Sequence, residues 1–337
     1  MWRRSIGAHS NLPATRFMRV CLKDCNRGSE SRGALSQPLC RSSVIRTTRP
    51  AFGISPSRPY SSNHEATAGY PGVSHLIEAH TPNSQIATVQ ISNPAKMNIV
   101  NTAILDQLIQ TCKTLSANPD IRAVILTGSP TSPGKSPSFI GGADIKQMAS
   151  LTSPSEARCF ILKIHESCSA LRNIPVPVIA KVNGWCLGAG LEMLASCDLK
   201  VATRNSVFAM PEVAVGIPSV VEAALLPLQI GMGRARRLLY LGEHVSAQEA
   251  ERWGLIEEVV EGEEELEKVV GKWTDKICGM GPKAMRSQKA LMRAWEGNMG
   301  VEEGIVAGVE AFAEAFEDGM KEPKEYMGKF LVRRRRR

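Results

Sequence analysis

The chain predicts an α/β fold. Three observations carry that reading: short apolar or alternating segments rich in β-formers, amphipathic stretches of helical period between them, and a last third patterned almost wholly as helix. Gln85–Ile91 alternates and predicts a strand. Asn101 is placed to cap a helix running through Leu115, with Ile104, Leu105, Leu108 and Ile109 on its apolar face. Ile121–Leu126 is a short continuous apolar run, as expected of a buried parallel strand. Ser129–Ser138 is a Pro/Ser/Gly loop, and Ser155–Leu171 is an amphipathic helix stopped by Pro175 and Pro177. Val178–Val182 reads as another buried strand, then comes a helix around Leu191–Ser196 and a strand at Leu199–Ala202. Beyond about residue 218 the pattern predicts helices only, at 232–241, 246–253, 263–279, 282–295 and 300–317. No internal repeat and no second domain boundary is visible.

The composition, 43% hydrophobic and 22% charged over 337 residues, is that of a globular protein with ample core. No apolar run reaches the roughly 18 residues that span a bilayer. The net charge of +8 sits at the ends: residues 1–62 hold eleven Lys/Arg against two acids, and Arg333–Arg337 add five more. The body between is therefore net acidic, so no nucleic-acid partner is expected. Residues 1–62 are Arg- and Ser-rich, acid-poor and broken by Pro, which predicts a disordered mitochondrial transit peptide and a matrix location. Arg58-Pro-Tyr-Ser61 resembles a processing site, with cleavage expected near Tyr60. The expected organisation is thus leader 1–62, catalytic domain 63–332 and Arg-rich tail 333–337. The tail lacks Ser-Lys-Leu. Nine cysteines without C-x-x-C suggest free thiols. His165-Glu-Ser-Cys168 is read as a solvated helix face, since HExxH is absent and no metal site is expected.

Two stretches carry the chemistry. Phe139-Ile-Gly-Gly-Ala-Asp-Ile145 and Pro177–Glu192 each end a buried strand in a Gly-rich turn that opens a helix. Such a turn directs backbone N–H groups outward, where negative charge is stabilised. The candidate donors are the N–H groups of Ala143 and Ala189. Taken alone, each turn is weak evidence and reads more readily as a tight packing turn. Glu192 and Glu212 are the candidate acid and base, although each also suits a helix start. Two donors with two carboxylates suit a reaction through a carbonyl-derived oxyanion.

The segments Asn93-Pro-Ala-Lys-Met-Asn98, Ala123–Gly128, Gly142-Ala-Asp-Ile-Lys146, Asn183–Glu192, Cys197-Asp198, Phe208-Ala-Met-Pro-Glu212, Gly216-Ile-Pro218, Ser246–Ala250 and Gly254-Leu-Ile256 run in one register over roughly 75–332. As a set they resemble the crotonase superfamily, in particular enoyl-CoA hydratases. The resemblance implies a β-β-α spiral core with a C-terminal helical trimerisation region, an acyl-CoA substrate, a homotrimer or homohexamer, and no separate cofactor. It implies Glu192 and Glu212 as the catalytic pair and Ala143 and Ala189 as oxyanion donors, with Ala189 where the family usually has Gly. It implies CoA contacts by Lys96, Met97, Gly142, Ala143, Asp144, Ile145, Lys146 and Gly188, and by Phe330 near the C-terminus. The chain departs from the family in Ile217–Pro227, which replaces a Gly-Gly-Thr-Gln-Arg-like run beside the acyl pocket. A long Thr131–Ser138 loop and Glu322-Pro-Lys-Glu-Tyr-Met327, in place of a Glu-Gly-Met helix, are further departures. The expected activity is hydration of a 2-enoyl-CoA. Alternatives are a methylglutaconyl-type branched or dicarboxylic hydratase, a Δ3–Δ2 isomerase (which usually keeps one glutamate), and a non-catalytic acyl-CoA- or RNA-binding homologue.

Overall fold

A hairpin starts the hydrogen-bonded frame. The computed structural model describes residues 71–297 and 300–335, with Asp318, Phe330 and 332–335 described by backbone alone. The expected leader 1–62 and its cleavage site therefore lie outside the described residues. Strand β1 (Gly72–Thr81) pairs antiparallel with β2 (Ser84–Ser92). The sheet then grows in parallel through β3 (Ile121–Gly128), β5 (Val178–Val182), β7 (Leu199–Thr203) and β10 (Glu258–Val260). A second sheet has four short strands in the order β4 (Ser138–Ile140), β6 (Trp185–Leu187), β8 (Val207–Ala209) and β9 (Val245–Ser246).

The period of two along the central strands splits them between two cores. Ala123, Ile179, Val201 and Val260 face helix α8 (Glu263–Cys278), which buries Leu266, Val270 and Ile277 against them. Each such side chain contributes about 1.5–3 kcal/mol relative to exposure. Three glutamates in the first turn of α8 suit the positive end of its dipole. Arg122 ties strand to helix end: its buried guanidinium donates to the carbonyls of Ile277 (3.3 Å) and Met280 (2.7 Å). The alternate residues Val124, Leu126, Val178, Ala180 and Ala202 join the larger core. That core also takes α1 (Thr102–Ser116), α3 (Pro154–Arg172), α4 (Ala189–Ala195) and the second sheet. Asn101 caps α1 as expected, its side chain accepting from Ile104 N at 3.0 Å.

The remaining helices are α2 (Ile145–Ala149), α5 (Leu226–Ile230), α6 (Met232–Leu241), α7 (Ala247–Trp253), α9 (Pro282–Glu296), α10 (Val301–Glu314) and α11 (Lys321–Arg335). Thr152–Cys159 clusters apart from the rest of the described chain, and within it Thr152 N donates to Glu156 at 2.7 Å. The structure departs from the sequence reading at three places. The tract after 218 is not wholly helical, because β9 and β10 each add a short strand to a sheet edge. β1 was not foreseen either: its mostly half-buried and exposed residues give no sharp alternation. Cys112, Cys168, Cys186, Cys197 and Cys278 are free thiols, but Cys159 is disulfide-bonded, against the expectation for it. No helix among the described residues is long and apolar enough to cross a membrane.

Candidate active site

Strands β4, β6 and β8 are parallel neighbours, so their C-terminal ends open on one side. The two Gly turns and the Pro211-Glu212 turn follow those three ends. Pairing of Leu187 with Ala209 continues one residue further, where Gly188 N donates to Ala209 O at 2.9 Å. The turns press on one another. A Cβ at Gly190 would stand 2.2 Å from Ile140 O, and one at Gly188, where φ is +51°, would stand 2.6 Å from Glu212 Oε1. Glycine at these positions lets the pieces close to within reach of a single small group.

The two candidate donors are free for that group. Val100 N donates to Gly142 O (2.9 Å) and Asp144 N to Val100 O (2.8 Å), forming a parallel bridge at Ala143. That bridge uses the groups on either side of Ala143, so its own N–H is directed elsewhere. Ala189 opens α4, whose N–H groups at Leu191 and Glu192 fold back to Gly188 O at 2.8 and 3.0 Å. The Ala189 N–H belongs to the first-turn donors that have no acceptor within their own helix. Ala189 also stays out of positive φ, as an L-residue in place of Gly requires.

Gly142, Ala143, Gly188, Ala189, Glu192 and Glu212 line one cavity of about 200 Å³. Its remaining wall is largely apolar, with Ile145, Met148, Ile161, Ile164, Leu187, Val215, Ile217 and Val220. Glu192 is 4% exposed, and its carboxyl is pushed up to about 8. Burial is the main cause, the charges of Glu212 and Glu222 add to it, and a hydrogen bond from the Ala223 backbone opposes it. Burial also raises Glu212, while its own backbone and Ser219 Oγ, donating to Glu212 Oε2 at 2.9 Å, favour the charged form. The cavity thus joins two unspent N–H donors to two carboxyl groups of unequal proton affinity.

The expected CoA contacts divide. Gly142, Ala143, Ile145 and Gly188 line the cavity, whereas Lys96, Met97, Asp144 and Lys146 do not. Asp144 is the N-cap of α2, accepting from Lys146 N at 2.9 Å, and lies 3.4 Å from Lys96 Nζ. Burial alone would raise it, but those N–H bonds and the Lys96 charge outweigh burial and hold it below the usual range. Met97 sits at φ +57° and its carbonyl accepts from Gly141 N (2.9 Å) and Ser138 Oγ (2.8 Å). Phe330 falls on α11, where its side chain lies outside what the structure describes. Among the described residues, no group of three or more His, Cys, Asp or Glu is placed to hold a metal ion.

Sequence reasoning missed two side chains behind the cavity. His165 is not on a solvated helix face: its Nδ1 lies 2.8 Å from Glu222 Oε1, and Cys168 one turn on is fully buried. The unusual 217–227 run pointed to this region without identifying Glu222. The 57 residues that separate it from His165 hide the pairing from any local pattern.

Residues 81–335 match the family described as enoyl-CoA hydratase/isomerase. The crotonyl-CoA hydratase of Syntrophomonas wolfei is 34% identical over 259 residues, 74% of this chain and 93% of its own. The rat mitochondrial enoyl-CoA hydratase domain-containing protein 3 is 33% identical over 213 residues, 62% of this chain and 66% of its own. The crystal structure of an enoyl-CoA hydratase from Mycobacterium smegmatis superposes with a TM-score of 0.69 at 26% identity, covering 77% of this chain and 96% of that one. With its crotonase-type fold and the match over most of its length, the chain belongs to the enoyl-CoA hydratase/isomerase family.

Proposed function

We propose that this protein hydrates a 2-enoyl-CoA thioester by syn addition of water. The observation that carries the reading is the convergence of Ala143 N, Ala189 N, Glu192 and Glu212 on one cavity. The thioester oxygen would accept both N–H groups and gain charge as the enolate forms; one such donor is typically worth about 3 kcal/mol of barrier. Glu212, half-buried and hydrogen-bonded by Ser219, takes a proton from water as the oxygen bonds to C3. Glu192, neutral at pH 7, gives its proton to C2. Return of the proton from Glu212 to Glu192 resets the site. All protons and charge are then handled by protein groups, and the proposal assigns no step to a metal or redox cofactor.

The acyl group would be an apolar chain. Among the described residues the cavity lining offers no Lys, Arg or His to pair a second carboxylate, and Glu212 in its charged base form would repel one. A methylglutaconyl-type substrate is therefore disfavoured, and the retained glutamate pair argues against an isomerase. Lys96, Met97, Asp144 and Lys146 stand beyond the cavity on the Gly142 side, where the nucleotide end of CoA would lie. We propose a homotrimer or homohexamer, supported by the apolar exposed face of α9 and α10, and a mitochondrial matrix location, supported by the basic leader.

The test is loss of the conjugated-thioester absorbance of crotonyl-CoA with purified protein. Formation of 3-hydroxybutyryl-CoA is the expected result. Tight acyl-CoA binding without turnover on straight-chain, branched and 3-enoyl substrates would overturn the hydratase reading.

A further inference from the structure

The cavity chemistry leaves one buried carboxylate unused. Glu222 is 3% exposed and sits in the 3-10 turn Val221–Leu225, between α4 and α5 in the fold. One oxygen meets His165 Nδ1 at 2.8 Å; the other, Oε2, is buried and has no hydrogen-bond partner. A buried carboxylate with an open acceptor is costly unless something is gained from its placement. The backbone that delivers it is also unusual. Val221, a β-branched residue, takes φ +42° directly before it, a conformation that persists only where its surroundings enforce it. The neighbouring Val220 lines the acyl cavity while Glu222 does not, so the same turn puts an apolar side chain toward substrate and a carboxylate away from it.

We propose that Glu222, clamped by His165, is a positioning residue that acts through Glu192: it fixes a negative charge beside Glu192, outside the cavity, and so reinforces Glu192 as the member of the pair that carries the proton.

The charged and titratable surroundings support this assignment. Glu192 is faced by Glu212 from the turn after β8, by Glu222, and by the fully buried Cys168 of α3, whose thiol burial keeps protonated. The Glu222 pair is in turn faced by Arg172 and Glu166 of α3 and by Arg293 of α9. The hydrogen bond to Glu222 raises His165. The charge of Glu222 falls on Glu192, after burial and the charge of Glu212, and the next residue's backbone N–H, that of Ala223, hydrogen-bonds Glu192. To burial and Glu212, which act first on Glu192, the fold thus adds a contribution from outside the cavity.

The proposal rests on Glu192 as the reacting acid, and its test does not need turnover. Protein labelled with carbon-13 at the Glu carboxyl is titrated by NMR, with the Glu192 signal identified by its loss in E192Q. The expected result is that E222Q lowers the Glu192 midpoint by about one pH unit. His165→Gln, which keeps the carboxyl but removes its clamp, must move that midpoint as well. A Glu192 midpoint unchanged in both folded variants overturns the proposal. Should E222Q fail to fold, His165→Gln alone decides it by the same criterion. On crotonyl-CoA the basic limb of kcat/KM should move with the midpoint, a shift that a merely structural role would not produce. A protein that fails to hydrate any enoyl-CoA yet shows the midpoint shift would refute the proposed activity and leave this assignment standing.

Discussion

At Glu192 burial keeps the carboxyl protonated at neutral pH and makes the ionised form costly. The folded carboxyl titrates near 8, against an ordinary value of 4.5 in the open chain. Between those values the folded state holds a proton that the unfolded state has released, so stability falls as pH rises across that window. E192Q removes the penalty. Its gain in unfolding free energy over wild type should be absent below about pH 4, grow through the window and level off above about pH 8, at a few kcal/mol. Denaturant melts of both proteins at pH 4, 6 and 9 check this, and a constant difference across pH would contradict it. Glu212 is tested through rate. E212Q should lower kcat by about two orders of magnitude or more with acyl-CoA affinity nearly kept. Wild-type-like turnover would remove Glu212 from the mechanism.

Among the elements, the loop from Asn93 to Asn98 holds the first Gly turn in place. Asn98 is fully buried at φ +55°, and its amide is fully used. Oδ1 accepts from Asn93 N (2.9 Å) and Ser129 Oγ (3.0 Å), and Nδ2 donates to the carbonyls of Ser129 (2.7 Å) and Ser138 (2.8 Å). One side chain therefore joins the end of β2, the end of β3 and the start of β4. Asn98→Ala would leave four buried polar groups unpaired and should cost about 3 kcal/mol or more, since each orphaned group costs about 1–3 kcal/mol. Unfolding midpoints measure the loss, and a change under 1 kcal/mol would show that water replaces the amide. Such ties explain what the sequence could and could not disclose. β2, β3, β5 and β7 were legible because they are central strands, β2 through its alternation and the others through short apolar stretches. β4, β6 and β8 have three residues each, too few for a period, although Gly141-Gly142 and Gly188-Ala189-Gly190 still marked where they end. Glu192 and Glu212 stood out as candidates because each follows a turn punctuated by Gly or Pro. Glu222 did not, because no Gly or Pro stands beside it and its partner lies in another element.

For the whole molecule, the C-terminal helices leave apolar surface uncovered. Ile305, Val306, Val309 and Phe312 of α10 and Trp295 of α9 are all at least 45% exposed. Ile305, Val309 and Phe312 recur at helical spacing on one face of α10, and an exposed apolar face marks an interface more often than bare surface. Sedimentation velocity should give three or six chains per particle. Val309→Glu with Phe312→Glu should shift the distribution toward single chains, whereas a wild-type monomer would refute the proposed assembly. The net acidic body and the basic ends separate at this scale also, so whole-chain charge describes neither part.

Cys168 provides a built-in clock for the site. Its thiol lies fully buried on α3, electrostatically coupled to both Glu192 and Glu222, and burial holds it in the unreactive protonated form. A maleimide can reach it only when α3 lifts from the core, so its labelling rate counts local openings rather than surface exposure. Cys278, only partly buried, would react first and set the reference rate. A bound acyl-CoA that holds α3 through Ile161 and Ile164 should slow the Cys168 reaction while leaving that of Cys278 unchanged.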